Sequence, residues 1–268
     1  MSSVNSAPDH LAQIVARKRV EVSRRLARAA TFARFAEAKG PPRTDILTPL
    51  RRPAGAAPRV IAEIKLRSPS AGTIRARVPG ALVGIAEGYA RGGAAAISVL
   101  CDGPGFGGSP LDLRRVAAHV AVPVLFKEFV VHPVQLDLAR ALGASYALLL
   151  VRVLPQAELV QLIAETRARG LEPVVEAADA DELERALATD ATIVGVNARD
   201  LRSFDVDPQR ARTLVARIPP ERVAVFMSGV RTPDDLAMVG STRADAVLIG
   251  EGLMRHADPG AALADLLR

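Results

Sequence analysis

Val60-Ile61-Ala62-Glu63-Ile64-Lys65 is an aliphatic run of strand length that closes on a lysine, and Val122-Pro123-Val124-Leu125-Phe126-Lys127 repeats the pattern. Neither run alternates apolar with polar residues, so each predicts a strand covered on both faces. Moving outward, runs of the same kind fall at Ala95–Leu100, Ala147–Val151, Pro173–Val175, Ile193–Val196, Val223–Met227 and Ala246–Ile249. Helical stretches separate them, among them Ala81–Arg91, Pro133–Leu142, Gln156–Arg169, Ala180–Ala188, Pro208–Arg217 and Thr232–Val239. Gly92, Gly143 and Gly170 follow three of the helices, where a left-handed C-terminal cap favours glycine.

Strands alternating with helices imply parallel pairing through right-handed crossovers. An open doubly wound sheet would satisfy that rhythm too. Eight units within roughly 210 residues favour a closed (β/α)8 TIM barrel of the α/β class. Residues 59–268 then form a single barrel domain. Residues 1–58 supply an N-terminal helical extension and a Pro/Gly/Arg-rich connector, Gly40–Pro58. In the extension, Asp9 is placed to cap a helix with apolar Leu11, Ile14, Val15, Val20, Val22 and Leu26 at roughly helical spacing and Glu21 on the polar side. That pattern favours a structural helix over a transit peptide, despite the Arg, Ala and Ser content.

Composition narrows the class. Hydrophobic residues make up 49% of the 268, charged residues 24% and aromatics 3%. No apolar stretch approaches the roughly 20 residues that cross a bilayer. The single Cys101 excludes an internal disulfide and suits a reducing cytoplasm, and the four scattered histidines lack metal-ligand spacing, so no metal is expected. The net charge of +6 comes with dispersed arginines and little aromatic stacking surface, which argues against nucleic acid and for a small anionic substrate.

Against 31 arginines the chain keeps only four lysines, and two of them end the runs quoted first. Arginine stays protonated, whereas a desolvated lysine can have its pKa lowered far enough to exchange protons. Lys65 and Lys127, each beside a carboxylate (Glu63, Glu128), therefore point to acid/base chemistry; a lone strand-end lysine would merely reach solvent. In a (β/α)8 barrel the C-terminal strand ends share one rim. That rim collects Glu63, Lys65, Lys127, Glu176, Asn197, Arg199, Asp200, Ser228 and Glu251. Ser228-Gly229 and Gly250-Glu251-Gly252, after the last two strands, suit a phosphate held by backbone N–H groups. Gly103-Pro104-Gly105-Phe106-Gly107-Gly108 lacks dinucleotide-loop spacing and a following helix start, and is expected to be a mobile loop carrying Phe106 over the mouth. Cys101 is expected to fill space, and His132 to cap a helix.

Ile61-Ala62-Glu63-Ile64-Lys65 with Ser68-Pro69-Ser70, Phe126-Lys127-Glu128-Phe129, and Gly195-Val196-Asn197-Ala198-Arg199-Asp200-Leu201 resemble the indole-3-glycerol phosphate synthase family. So do Ser228-Gly229-Val230-Arg231-Thr232-Pro233 and Ile249-Gly250-Glu251-Gly252-Leu253-Met254, and the likeness runs in order from about Asp9 onward. The resemblance implies decarboxylating, dehydrating ring closure of 1-(2-carboxyphenylamino)-1-deoxyribulose 5-phosphate, with no cofactor, by a cytoplasmic monomer or weak homodimer. It implies Lys127 as general acid, Glu176 as general base and Lys65 as anion partner and proton donor in dehydration. Glu63 and Asn197 would hold the lysines and sugar hydroxyls. Phe106, Phe129, Leu148 and Leu201 would form an apolar ring slot, Ser68 and Arg199 anion contacts, and Ser228, Gly229, Gly250 and Glu251 the phosphate side.

Some positions depart from the family pattern. Met227 stands where the family usually has Glu, Cys101 for Thr, Glu128 for Asp and Ala198 for a polar residue. Losing the rim carboxylate should lower the lysines' pKa and weaken sugar binding by about 1–3 kcal/mol. The other readings are a barrel enzyme retuned to a related sugar phosphate, and a non-catalytic phosphate-ligand binder.

Overall fold

The computed structural model describes residues 10–27, 45–200 and 204–268. Its central sheet is a closed barrel of eight parallel strands. They are β1 Arg59–Ile64, β2 Ala96–Leu100, β3 Val124–Lys127, β4 Tyr146–Leu150, β5 Glu172–Ala177, β6 Ile193–Asn197, β7 Val223–Met227 and β8 Ala246–Ile249. Each strand pairs with its neighbours in sequence, and β8 returns to β1 with Ala62 opposite Ile249. Helices α1 His10–Leu26, α2 Ala81–Arg91, α3 Pro110–Ala117, α4 Pro133–Ala141, α5 Gln156–Ala168, α6 Ala180–Leu187, α7 Pro208–Val215, α8 Pro233–Gly240, α9 Glu251–Met254 and α10 Pro259–Leu266 accompany it.

The continuously apolar strands divide by the two-residue period of an extended chain. On β4, Tyr146, Leu148 and Leu150 fill the barrel, while Ala147 and Leu149 pack under the helices. On β3, Leu125 points inward and Val124 and Phe126 outward. Helix starts have an equally local cause. Ser109, His132, Asp207, Thr232 and Asp258 each accept from a first-turn N–H and are followed at once by proline. Such a cap contributes about 1 kcal/mol, and proline at that position loses no helical hydrogen bond. His132 is thus a cap, as expected.

Three expectations are corrected. The left-handed residue after α2 is Gly93, not Gly92, whose φ is −75°; Gly143 and Gly170 are left-handed as expected. On α1, Val20 and Leu26 are exposed, and Lys18 takes a buried place beside Leu11, Ile14 and Val22. The glycine cluster after β2 does begin a helical turn at once, Gly103–Phe106, because the Asp102 side chain accepts from Gly105 N–H at 2.7 Å. Asp9 lies outside the described residues.

The extension meets the barrel at both ends. Arg52 donates to Gly240 O (2.9 Å) and Thr242 O (3.2 Å), and Tyr146 Oη donates to Ile46 O, at the end where the strands begin. Helix α1 crosses near the opposite rim, where Lys18 meets Asp102 and Glu128 just past β2 and β3. Among the described residues no helix is long and apolar enough to cross a membrane.

Candidate active site

The rim at the strand ends surrounds a cleft of about 740 Å³. It is lined by Glu63, Lys65, Ser68, Phe106, Lys127, Phe129, Leu148, Glu176, Asn197, Arg199 and Ser228. Eleven residues chosen from sequence on seven different strand ends and loops therefore converge on one opening. Gly229, Gly250 and Glu251 line a smaller recess that shares Glu63, Lys65, Arg199 and Ser228 with the cleft. Leu201 lies outside the described residues.

Strand alternation decides which carboxylate each lysine meets. Glu63 and Lys65 are two residues apart at the end of β1, share a side, and pair at 3.1 Å. Lys127 and Glu128 are adjacent, so they diverge. Glu128, the carboxylate beside Lys127 in sequence, is therefore not its partner: Lys127 Nζ donates to Glu176 Oε2 on β5 at 2.9 Å, and Glu128 turns to Lys18 at 3.0 Å.

Glu176 uses both oxygens. Oε2 accepts from Lys127, and Oε1 accepts from Asn197 Nδ2 at 2.8 Å. Asn197 Oδ1 in turn accepts the N–H of Arg199 at 3.0 Å. Asn197 thus reaches a lysine only through the Glu176 carboxylate. Glu63 has a second anchor, since Ser98 Oγ donates to its Oε2 at 3.2 Å. These bonds fix the charged groups in a site whose side chains are largely buried.

Burial alone would lower the pKa of Lys127. Glu176 and Glu63 more than offset it, and with the Glu176 hydrogen bond they hold the ammonium above the ordinary lysine value. The expectation of a lowered lysine pKa is therefore reversed here. Lys127 is a cation, suited to donating a proton to a group that enters the cleft.

The apolar wall is built from Phe106, Phe129, Leu148, Leu150 and Leu100. Phe106 and Phe129 meet with ring centroids 6.0 Å apart. In the recess, Ser228 and Gly229 have φ of 69° and 85°, which turns the chain sharply after β7. A Cβ on Gly250 would fall 2.6 Å from Glu63 Oε1, so a side chain there would displace the carboxylate oxygen that meets Lys65. The Glu251 carboxylate is engaged by Arg255 (2.9 Å) and Arg231 (3.4 Å).

Met227 also lines the cleft, and it is nearly inaccessible. Its thioether lies over Gly195 of β6, where any Cβ would overlap Met227 Cε. The residue is part of the barrel's inner packing.

Sequence reasoning missed Phe204, which lines the cleft with a left-handed backbone (φ 64°) and meets His10 of α1 with ring centroids 5.6 Å apart, tilted by 45°. No strand-end position marks it, since it follows β6 by seven residues. It also missed Leu100, Leu150 and Leu248, whose inward register on the strands was a usable signal.

The chain matches the family model described as Indole-3-glycerol phosphate synthase over residues 11–266. It is 46% identical to the indole-3-glycerol phosphate synthase of Streptomyces griseus, over 86% of this chain and 84% of that protein. It is 42% identical to that of Mycobacterium ulcerans, over 88% and 85%. Among solved structures, a tryptophan synthase alpha-subunit from Pyrococcus furiosus superposes with a TM-score of 0.60 at 15% identity, covering 79% of this chain and 97% of that one. At that identity the likeness establishes the barrel fold alone.

Proposed function

The chain belongs to the indole-3-glycerol phosphate synthase family, and on that premise we propose that Lys127, Glu176 and Lys65 carry the family's decarboxylating ring closure. The protein is a carbon–carbon lyase of tryptophan biosynthesis. Its substrate is 1-(2-carboxyphenylamino)-1-deoxyribulose 5-phosphate. Residues 59–268 are its catalytic barrel, and residues 1–58 its extension and connector.

The ring carbon bearing the carboxylate attacks the sugar ketone while Lys127 protonates the ketone oxygen. The bond to the carboxyl carbon breaks, CO₂ leaves, and its electron pair restores the aromatic ring. The new hydroxyl then leaves as water with a proton from Lys65, and Glu176 removes the proton from the carbon next to nitrogen. Two protons are delivered and one recovered, so one is drawn from solvent for each carboxylate lost. The 2.9 Å contact between Glu176 and Lys127 lets the recovered proton recharge the acid.

The remaining residues bind and orient. The Phe106–Phe129 wall with Leu148 takes the anthranilate ring. Ser68 and Arg199 meet its carboxylate, while Ser228, Gly229, Gly250 and Glu251 present backbone groups to the phosphate. Glu63 and Asn197 hold Lys65 and Glu176 in register. The single observation that carries this reading is the Lys127–Glu176–Asn197 chain of hydrogen bonds opening onto an apolar wall.

The test mixes purified protein with this substrate and follows indole fluorescence alongside CO₂ release. Equal yields of the two are expected. Tight binding without either product would overturn the assigned catalytic roles.

A further inference from the structure

Lys18 is the least expected charge in the structure. It lies on α1, far from the barrel in sequence, yet its side chain is only 4% exposed. Its ammonium contacts Asp102 Oδ1 at 2.9 Å, Glu128 Oε2 at 3.0 Å and Glu21 Oε2 at 3.0 Å. Asp102 is wholly buried and Glu128 nearly so, and Arg17 adds a second contact to Asp102 at 2.8 Å. None of these groups enters the chemistry above.

The other oxygen of each carboxylate faces the ring slot's backbone. Asp102 Oδ2 accepts from Gly105 N–H (2.7 Å), in the turn that presents Phe106. Glu128 Oε1 accepts from Phe129 N–H (2.8 Å). One ammonium on α1 therefore bridges two carboxylates, and each carboxylate fixes the backbone of one of the two phenylalanines that meet at 6.0 Å. Cys101 N–H also donates to Lys127 O at 3.0 Å, which ties the two loop origins together.

Resting on the ring-slot reading above, we propose that Lys18 is a positioning residue for substrate binding: by bridging Asp102 and Glu128 it holds Phe106 and Phe129 at the spacing that admits the anthranilate ring. Without its charge, two buried carboxylates face each other with Arg17, itself one-third exposed, as their remaining ion-pair partner among the described residues. Buried anions without a partner move toward water. Here they would draw the Gly105 and Phe129 amides with them and open the slot. The slot holds the ring equally in the ground and transition states, so its loss raises KM and leaves kcat nearly unchanged.

The test compares full-length wild type, Lys18→Met and Glu128→Gln by steady-state kinetics and amide hydrogen exchange. For Lys18→Met the expected result is a KM raised about tenfold with kcat within about threefold. Exchange at Gly105 and Phe129 should accelerate at least about tenfold, with the amides of Val194 and Val225 unchanged. A lower Tm with KM and those two amides unaltered would overturn the proposal, as would a fall in kcat at constant KM. If Lys18→Met does not fold, Glu128→Gln decides: faster exchange at Phe129 with raised KM supports the bridge, and neither change refutes it. If wild type does not turn over the substrate, the functional reading fails on its own, and local against absent acceleration at Gly105 and Phe129 still decides the role of Lys18.

Discussion

Lys127 Nζ lies 2.9 Å from Glu176 Oε2, so the proposed acid and base share one hydrogen bond across the barrel mouth. Each is the other's electrostatic environment. Changing Glu176 therefore changes the proton affinity of Lys127.

Glu176→Gln keeps the shape of the site and a hydrogen-bonding oxygen, but removes the base and the anion. Steady-state assays should show kcat lower by about 10²–10⁴-fold. The residual activity should also lose its alkaline limb at lower pH than wild type does. Burial then acts on Lys127 against Glu63 alone, and its pKa falls.

In wild type the same raised pKa makes a stability prediction. A lysine held above its ordinary value of 10.5 contributes stability that is complete below that value and is lost as pH rises through the higher folded-state value. Chemical denaturation from pH 9 to 12 should therefore show a loss of stability beginning above 10.5 that is smaller in Glu176→Gln.

Met227 and Gly195 should behave as a coupled pair. Gly195→Ala pushes the thioether into the cleft and should raise KM by about tenfold, roughly 1.4 kcal/mol. Met227→Glu should restore a carboxylate near the two lysines and raise kcat/KM, while lowering Tm because the side chain is buried in the inner barrel packing. An unchanged or lower kcat/KM would mean that the cleft has been reshaped around methionine.

Arg152 gathers three carboxylates from beyond the next two strands: Asp179 (2.9 Å), Glu182 of α6, and Asp200 (2.8 Å). Arg152→Met removes the cation from beside them; the Arg152–Glu182 pair is buried on both sides, and breaking such a pair costs about 3 kcal/mol. Tm should fall by roughly 6–9 °C for a domain of this size. Calorimetry on the variant reads the effect directly.

What the sequence showed followed from strong local rules. Continuous apolar runs located all eight strands, and strand-end polarity gathered the cleft, because a parallel barrel puts every strand end on one rim. The errors arose where two rules met. Lys127 and Glu128 are neighbours in sequence, yet extended geometry sends them to opposite sides, and only counting residue parity would have separated them. Lys18 sits four residues from both Ile14 and Val22, in a helix register reserved for apolar groups. That placement was the available sign of a buried cation. The Met227–Gly195 contact depends on the register between β6 and β7, which no single run encodes. Phe204 depends on the fold of a loop and left no periodic trace.

The most direct measurement of the acid's role is a single turnover with Lys127→Met, following CO₂ release and indole fluorescence against wild type under excess enzyme. Both signals should fall together by at least about 10³-fold, since the ketone then lacks its proton donor. Retention of more than about a tenth of the wild-type rate would contradict the assignment of Lys127 as the acid.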